Sequence, residues 1–295
     1  MENLLLVILK SLKTKLREHF EKFKKSDMKN YKIGLLGIFA LFALLSKVKA
    51  QTADEAKKHQ AMMDIIMQKP KTQIRTIGIF VYDGFNNLDA MGPFQVLRQV
   101  SGAKTFLIAK QKGLIKNNSG VKVQVDTTIA EVKNLDVILI PGGAMETLLM
   151  TKDTAVINWI RQIDKTSKYT TSVCTGAWIL GATGLLQNKH ATTNWYRAEE
   201  MLTNYGAKFE KKRYVIDGKY WTSAGVSAGI DMSLAIVNDL FGEKYTQGIM
   251  LDLEYDPQPP FNAGSVDKTQ PIVADMMKTM YDMIMLPTIN KFKKE

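Results

Sequence analysis

Thr171-Ser172-Val173-Cys174-Thr175-Gly176-Ala177-Trp178-Ile179-Leu180-Gly181-Ala182 joins two kinds of pattern. A β-type run, Lys168 to Val173, leads into it. A helix-like run, Gly176 to Leu186, leads out. Between them stands Cys174, the single cysteine of 295 residues. A strand that turns sharply into a helix pushes the side chain at the turn clear of the sheet, where a nucleophile is best placed. The unpaired N–H groups and positive end of the helix dipole favour an anion there by roughly 0.3–1 kcal/mol. That biases a thiol toward the thiolate, its reactive form. A lone cysteine is also among the most buried residue types, a small hydrophobe in a core. The rest of the chain decides between the two roles.

Working outward, strands alternate with helices. Thr76 to Tyr82 is a β-branched apolar run followed by the turn Asp83-Gly84-Phe85-Asn86-Asn87. Leu88-Asp89-Ala90-Met91-Gly92-Pro93 opens a helix to about Val100, and Ala103 to Ala109 is the next strand. Val121 to Val125 is a short alternating strand. Leu135 to Ile140 is wholly apolar and ends in Pro141-Gly142-Gly143-Ala144. Thr154 to Ile163 reads as a helix, and the Cys174 elbow follows. Such alternation implies βαβ units and a mostly parallel sheet covered on both faces. Asp89, Gly142-Gly143 and Cys174 each lie just past a predicted strand. Sites in such sheets form at the carboxyl ends of the strands, so three loops are expected to converge.

Beyond the elbow, His190-Ala191-Thr192-Thr193-Asn194-Trp195 precedes a helix to about Tyr205. Arg213 to Ile216 and Tyr220 to Ser223 flank Asp217-Gly218, a hairpin signal. Gly225 to Leu240 is a tightly packed helix, and Tyr255 to Ser265 a long Pro-rich loop. Ile272 to Met285 is a Met-rich helical run, read as core or dimer contact.

The ends of the chain differ from this middle. Residues 1–50 carry 11 Lys+Arg and 4 Asp+Glu, so +7 of the net +11 lies there. The remaining +4 over 245 residues is solubility rather than a nucleic-acid footprint. Residues 28–50 combine a basic start, a 13-residue apolar run from Ile33 to Leu45, and small or medium residues before Gln51. This is the layout of a secretory signal peptide beginning at Met28, too short to span a bilayer comfortably. Export to the periplasm is the expectation, with an uncleaved membrane anchor or a cytoplasmic protein as the alternatives. Residues 51–72 read as a linker, 73–268 as the folded domain and 269–295 as a C-terminal helix. One cysteine excludes an intrachain disulfide, and three histidines (His19, His59, His190) leave little for a metal centre.

Cys174 needs partners to react. Thr175 offers a backbone N–H and a hydroxyl, and Gly143 a second N–H, together an oxyanion-type hole. Asp89 is either a helix N-cap or, if it faces the thiol, an acid whose pKa burial would raise, suiting it to move protons. His190 sits in a polar turn and reads as a surface residue. Phe85, Trp178, Trp195 and Phe261 are read as apolar lining for a substrate.

These stretches carry a resemblance. The elbow, the Pro141-Gly142-Gly143 turn and the Leu88–Pro93 loop together resemble the ThiJ/PfpI group of the class I glutamine-amidotransferase-like superfamily, from about Ile77 to Ser265. Ala191-Thr192-Thr193, Ala228-Gly229-Ile230-Asp231 and Leu253-Glu254-Tyr255 through Pro259-Pro260-Phe261-Asn262-Ala263-Gly264-Ser265 are similar to the isonitrile hydratases of that group. The resemblance implies a flavodoxin-like three-layer α/β sandwich, a homodimer, no cofactor, and Asp89, Cys174 and Thr175 as catalytic residues. The implied reaction adds water to an isonitrile to give an N-substituted formamide. A glyoxalase- or deglycase-like activity on small carbonyl compounds is the alternative, as is a ligand-sensing domain like those of AraC-type regulators. Many relatives have His after the paired threonines. Here Asn194 stands there, which counts against a Cys-His-acid hydrolase.

Overall fold

A computed structural model describes residues 13–15, 52, 54–66 and 69–292. The chain divides into two units, residues 1–66 and 67–295. In the first, residues 54–66 are helical with almost wholly exposed side chains. The export signal expected over 28–50 lies outside the described residues. Among the described residues no helix is long and apolar enough to cross a membrane.

The second unit runs β1 Thr76–Phe80, α1 Asn87–Leu97, β2 Lys104–Ala109, β3 Leu114–Lys116, β4 Lys122–Gln124, β5 Thr127–Thr128, β6 Val137–Ile140, α2 Met145–Lys152, α3 Thr154–Asp164, β7 Tyr169–Val173, α4 Gly176–Ala182, β8 His190–Ala191, α5 Ala198–Asn204, β9 Lys208–Phe209, β10 Tyr214–Asp217, β11 Tyr220–Ser223, α6 Ala228–Phe241, α7 Glu243–Asp252 and α8 Pro271–Phe292. Seven strands form one sheet in the order β10-β11-β7-β6-β1-β2-β5. Every pairing in it is parallel except the β10–β11 hairpin.

Val137, Ile138, Leu139 and Ile140 of β6 are all fully buried, as a strand covered on both faces requires. The connection from β1 runs to β2 on one side, and that from β6 runs to β7 on the other. Right-handed crossovers therefore place α1 and α3 on opposite faces. The packing agrees: α1 lies against α6, while α4 lies against α2, α3 and α5. The result is the flavodoxin-like arrangement of helices around a mostly parallel sheet. The reversal falls between β1 and β6, and a crevice for ligands opens at such a switch point.

Register sets the level of the loops. Ile140 pairs with Ser172 across β6 and β7, so two places further on Gly142 comes level with Cys174. Val173 pairs with Ser223 of β11. The Cys174 N–H then donates to the Ser223 carbonyl at 3.1 Å.

A second, smaller core collects Leu148, Trp178, Tyr196, Met201, Met285 and Ile289. It seats α8 against α2, α4 and α5. Of the methionines on α8, Met285 is core, whereas Met276, Met280 and Met283 are exposed. The sequence gives no expectation for the two-residue strands β5, β8 and β9, nor for three further elements. Helix α2 lacks a side-chain cap at Ala144, β3 is three residues long, and α7 starts at a glycine with no side-chain cap. The helix expected to reach Leu186 ends at Ala182.

Gly176 is where α4 approaches β6. A Cβ there would fall 2.1 Å from the Ile140 carbonyl oxygen and 2.9 Å from the Pro141 carbonyl carbon. Both are backbone atoms and cannot swing away. Gly248 in α7 has nothing within 4 Å. Gly176→Ala is expected to lower stability by about 2–3 kcal/mol or more. Gly248→Ala should raise it by about 0.5–1 kcal/mol through helix propensity. Urea melts of both variants check this, and equal midpoints would refute the close approach at the elbow.

Candidate active site

Cys174 occupies the left-handed region, with φ 59°. For a residue with a Cβ this costs on the order of 1–3 kcal/mol. Its backbone is held at both ends. The N–H is bound to Ser223, and the carbonyl accepts the Thr193 hydroxyl at 2.8 Å. The side chain is buried, with 6% of the residue exposed.

Asp89 comes from the first turn of α1 and is fully buried. The helix is capped by Asn86, whose side chain accepts from the N–H groups of Leu88 and Asp89 at 3.1 and 3.3 Å. Asp89 is therefore not the cap, and its carboxyl turns inward. Oδ2 accepts the Gly142 N–H at 3.1 Å. Oδ1 is buried without a well-formed hydrogen bond, so the carboxyl's remaining polar contact is the weak one to the Cys174 thiol. Burial raises the carboxyl from 3.8 to about 7, and the thiol and the Gly142 N–H only partly oppose the rise. Gly142 marks the junction of the loops. A methyl group there would sit 2.5 Å from Thr175 Oγ1 and 2.9 Å from Asp89 Oδ2.

The thiol itself is shifted upward. Burial is the main cause, and the neighbouring Asp89 charge adds to it. The Thr175 N–H and the Asn194 side chain act in the opposite direction. This runs against the expected bias of Cys174 toward the thiolate from the helix terminus. α4 has seven residues, and its dipole is outweighed by desolvation and by a like charge. Of the two, Asp89 is the group poised to exchange its proton near neutrality, while the thiol holds its own.

Of the expected oxyanion hole, the Gly143 N–H and the Thr175 hydroxyl are engaged with each other. The Gly143 N–H donates to Thr175 Oγ1 at 3.0 Å, and that hydroxyl returns its proton to the Gly143 carbonyl at 2.9 Å. Thr147 Oγ1 lies 3.1 Å from Thr175 Oγ1 and 2.9 Å from Tyr82 Oη. Gly143 and the Thr175 hydroxyl thus brace each other, leaving the Thr175 N–H to face the sulfur.

Asn194 was read only as a missing histidine, yet it is part of the site. Its Oδ1 accepts the Tyr196 N–H at 2.9 Å, so the amide NH2 is the end that contacts Cys174. Of the four expected lining residues, Phe85 stands beside the Gly142-Gly143 turn of the site, its backbone bridged to Gly143, and the other three are placed differently. Phe85 is fully buried in the main core, Trp178 is fully buried in the second core, and Phe261 is 77% exposed. Trp195 is half-exposed and meets Tyr281 edge-on, with ring centroids 5.2 Å apart. His190 is exposed, with Nδ1 2.6 Å from Glu210. Among the described residues no group of three or more His, Cys, Asp or Glu is placed to hold a metal ion.

Known proteins match this chain over most of its second unit. The sequence pattern of the DJ-1/PfpI family matches residues 75–239. The chain is 38% identical over 199 residues to an isonitrile hydratase of Pseudomonas putida, covering 68% of this chain and 86% of that protein. It is 26% identical over 142 residues to the deglycase PfpI of Pyrococcus furiosus, covering 48% and 83%. A crystal structure of a ThiJ/PfpI family protein from Pseudomonas syringae superposes with TM-score 0.71 at 32% identity, covering 75% and 90%.

The raised carboxyl makes a stability prediction. A rise from 3.8 to about 7 means that, between those values, the unfolded chain has released a proton that the folded chain keeps. Stability then falls as pH climbs through that window, by on the order of 4 kcal/mol in all. Asp89→Asn has no such proton. Its melting temperature should match the parent near pH 4, exceed it increasingly up to about pH 7, and keep a constant lead above. A parallel pair of pH curves from thermal melts would show that Asp89 is not held against ionisation.

Proposed function

The chain belongs to the DJ-1/PfpI family, and within it we propose a cysteine-dependent hydratase that adds water to an isonitrile. The observation that carries this reading is the buried Asp89–Cys174 pair, with Asn194 rather than histidine against the sulfur. The similarity to the P. putida isonitrile hydratase supports it.

The pair supplies what the reaction needs. An isonitrile, R–N≡C, presents a carbon that must gain both a nucleophile and a proton. As the Cys174 sulfur attacks that carbon, Asp89 takes the thiol proton and delivers it to the same carbon. This gives a thioimidate, Cys174–S–CH=N–R. Water then adds across the C=N bond, its oxygen to carbon and a proton through Asp89 to nitrogen. Asp89 accepts the new hydroxyl proton as the C–S bond breaks. The products are R–NH–CHO and the thiolate, which recovers its proton from Asp89. The Thr175 N–H and the Asn194 amide stabilise negative charge on the departing sulfur. Asp89 is in turn an acid and a base, a role that suits a carboxyl poised near neutrality.

The similarity to a deglycase favours a second reading, in which the same pair acts on small carbonyl compounds. Incubation with cyclohexyl isocyanide, followed by NMR detection of N-cyclohexylformamide, separates the two. Turnover of methylglyoxal without isocyanide would replace the hydratase reading. Cys174→Ala and Asp89→Asn are each expected to lower kcat/KM about a thousandfold or more. The reactive form holds one proton between the pair, so kcat/KM should rise as pH increases through about 7. A profile flat from pH 5 to 9 would remove Asp89 from proton transfer.

A further inference from the structure

Helix α8 packs against the loop that follows Asn194. Asn194, whose amide contacts the thiol, is followed directly by Trp195 and Tyr196. The ring of Tyr281, on α8, lies 5.2 Å from that of Trp195 and 5.1 Å from that of Tyr196. Tyr281 is half-buried. Negative charge on Cys174 or Asp89 adds to the effect of burial in raising its hydroxyl, and the loop that carries Trp195 is fixed beside the elbow by the Thr193 hydroxyl, which donates to the Cys174 carbonyl at 2.8 Å.

The arrangement is fastened. The Tyr196 hydroxyl donates to Asp282 at 2.7 Å, and Arg197 Nη1 lies 3.8 Å from the same carboxylate. One turn further along, Met285 and Ile289 fill the second core. The loop that carries Asn194 is therefore tied to the sulfur at one end and to α8 at the other. A site built this way has a fixed shape, because the helix cannot slide without breaking the aromatic contacts.

We propose that Tyr281, with Trp195 beside it, is a specificity-determining wall of the substrate pocket, and that α8 thereby selects the apolar N-substituent of the substrate. The identity of that substrate rests on the hydratase reading; the wall itself does not. An apolar group of ring size would pack against the two aromatic side chains, while the isonitrile carbon meets Cys174. Phe261, 77% exposed, projects into solvent and takes no part in this wall.

The single cysteine allows a direct test. Intact-mass alkylation of the full chain reads Cys174 alone, whatever the enzyme turns over. Rates are measured with iodoacetamide and with the bulkier N-benzyliodoacetamide for the parent, Tyr281→Ala, Tyr281→Phe and Trp195→Ala. Tyr281→Ala should raise the bulky-to-small rate ratio about tenfold, as expected for removing a pocket wall. Tyr281→Phe should leave the ratio near the parental value. Trp195→Ala, at a side chain in a residue 38% exposed, should shift it in the same direction and serves if Tyr281→Ala does not fold. In parallel, Tyr281→Ala should change the ratio of kcat/KM for cyclohexyl over methyl isocyanide. An unchanged alkylation ratio in both alanine variants overturns the wall, even if isocyanides are hydrated. A changed ratio without isocyanide turnover keeps the wall and removes the hydratase reading.

Discussion

A carboxyl and a thiol buried at one point cannot both give up their protons. Burial raises both, and the Asp89 charge raises the thiol further, because a second negative charge in a site away from water has nothing to screen it. The groups that favour ionisation here are neutral donors: the Gly142 N–H on Asp89, and the Thr175 N–H and Asn194 amide on Cys174. A cationic histidine beside the sulfur would store an ion pair. Neutral donors instead leave a proton for the two acids to share. That difference separates a site suited to moving a proton onto carbon from one suited to holding a permanent thiolate.

The scaffold is arranged to hold that pair. Register brings Gly142 level with Cys174. Asn86 takes over the capping of α1, which releases the carboxyl of Asp89 from work on the backbone. Gly176 lets α4 start against the Ile140 carbonyl, and so turns Cys174 into its left-handed conformation. The Thr175 hydroxyl is engaged with both polar groups of Gly143, which locks the loop after β6 to the elbow after β7. Each contact lies at the carboxyl end of a central strand, and each constrains the backbone rather than the substrate.

This division explains what could be read from the residues alone. The buried runs of β1, β6 and β7 announce themselves by composition, and Asp89, Gly142 and Cys174 follow them directly. Their convergence is a property of topology, so it was legible. Asn194 was not, since its contact with sulfur depends on the path of the loop after β8. Tyr281 lies over a hundred residues from the elbow, in a run whose methionines suggest packing, and only the seating of α8 in the second core brings it near. Trp178 sits four positions after the cysteine, yet its helical phase carries it into that core. The Gly143 N–H was assigned to an oxyanion because glycine permits close approach. What approaches is the Thr175 hydroxyl. Helix α2 was missed for a local reason: no capping side chain marks its start.

The seating of α8 also separates two parts of the site along the chain. The groups that touch the sulfur, Asp89, Thr175 and Asn194, all fall within residues 75–239, the stretch that carries the family pattern. Tyr281 falls beyond it. Changes in α8 can therefore reshape what reaches the sulfur while the proton-sharing pair stays as it is. In such a chain, the reaction performed and the molecules admitted to it are free to diverge at different rates.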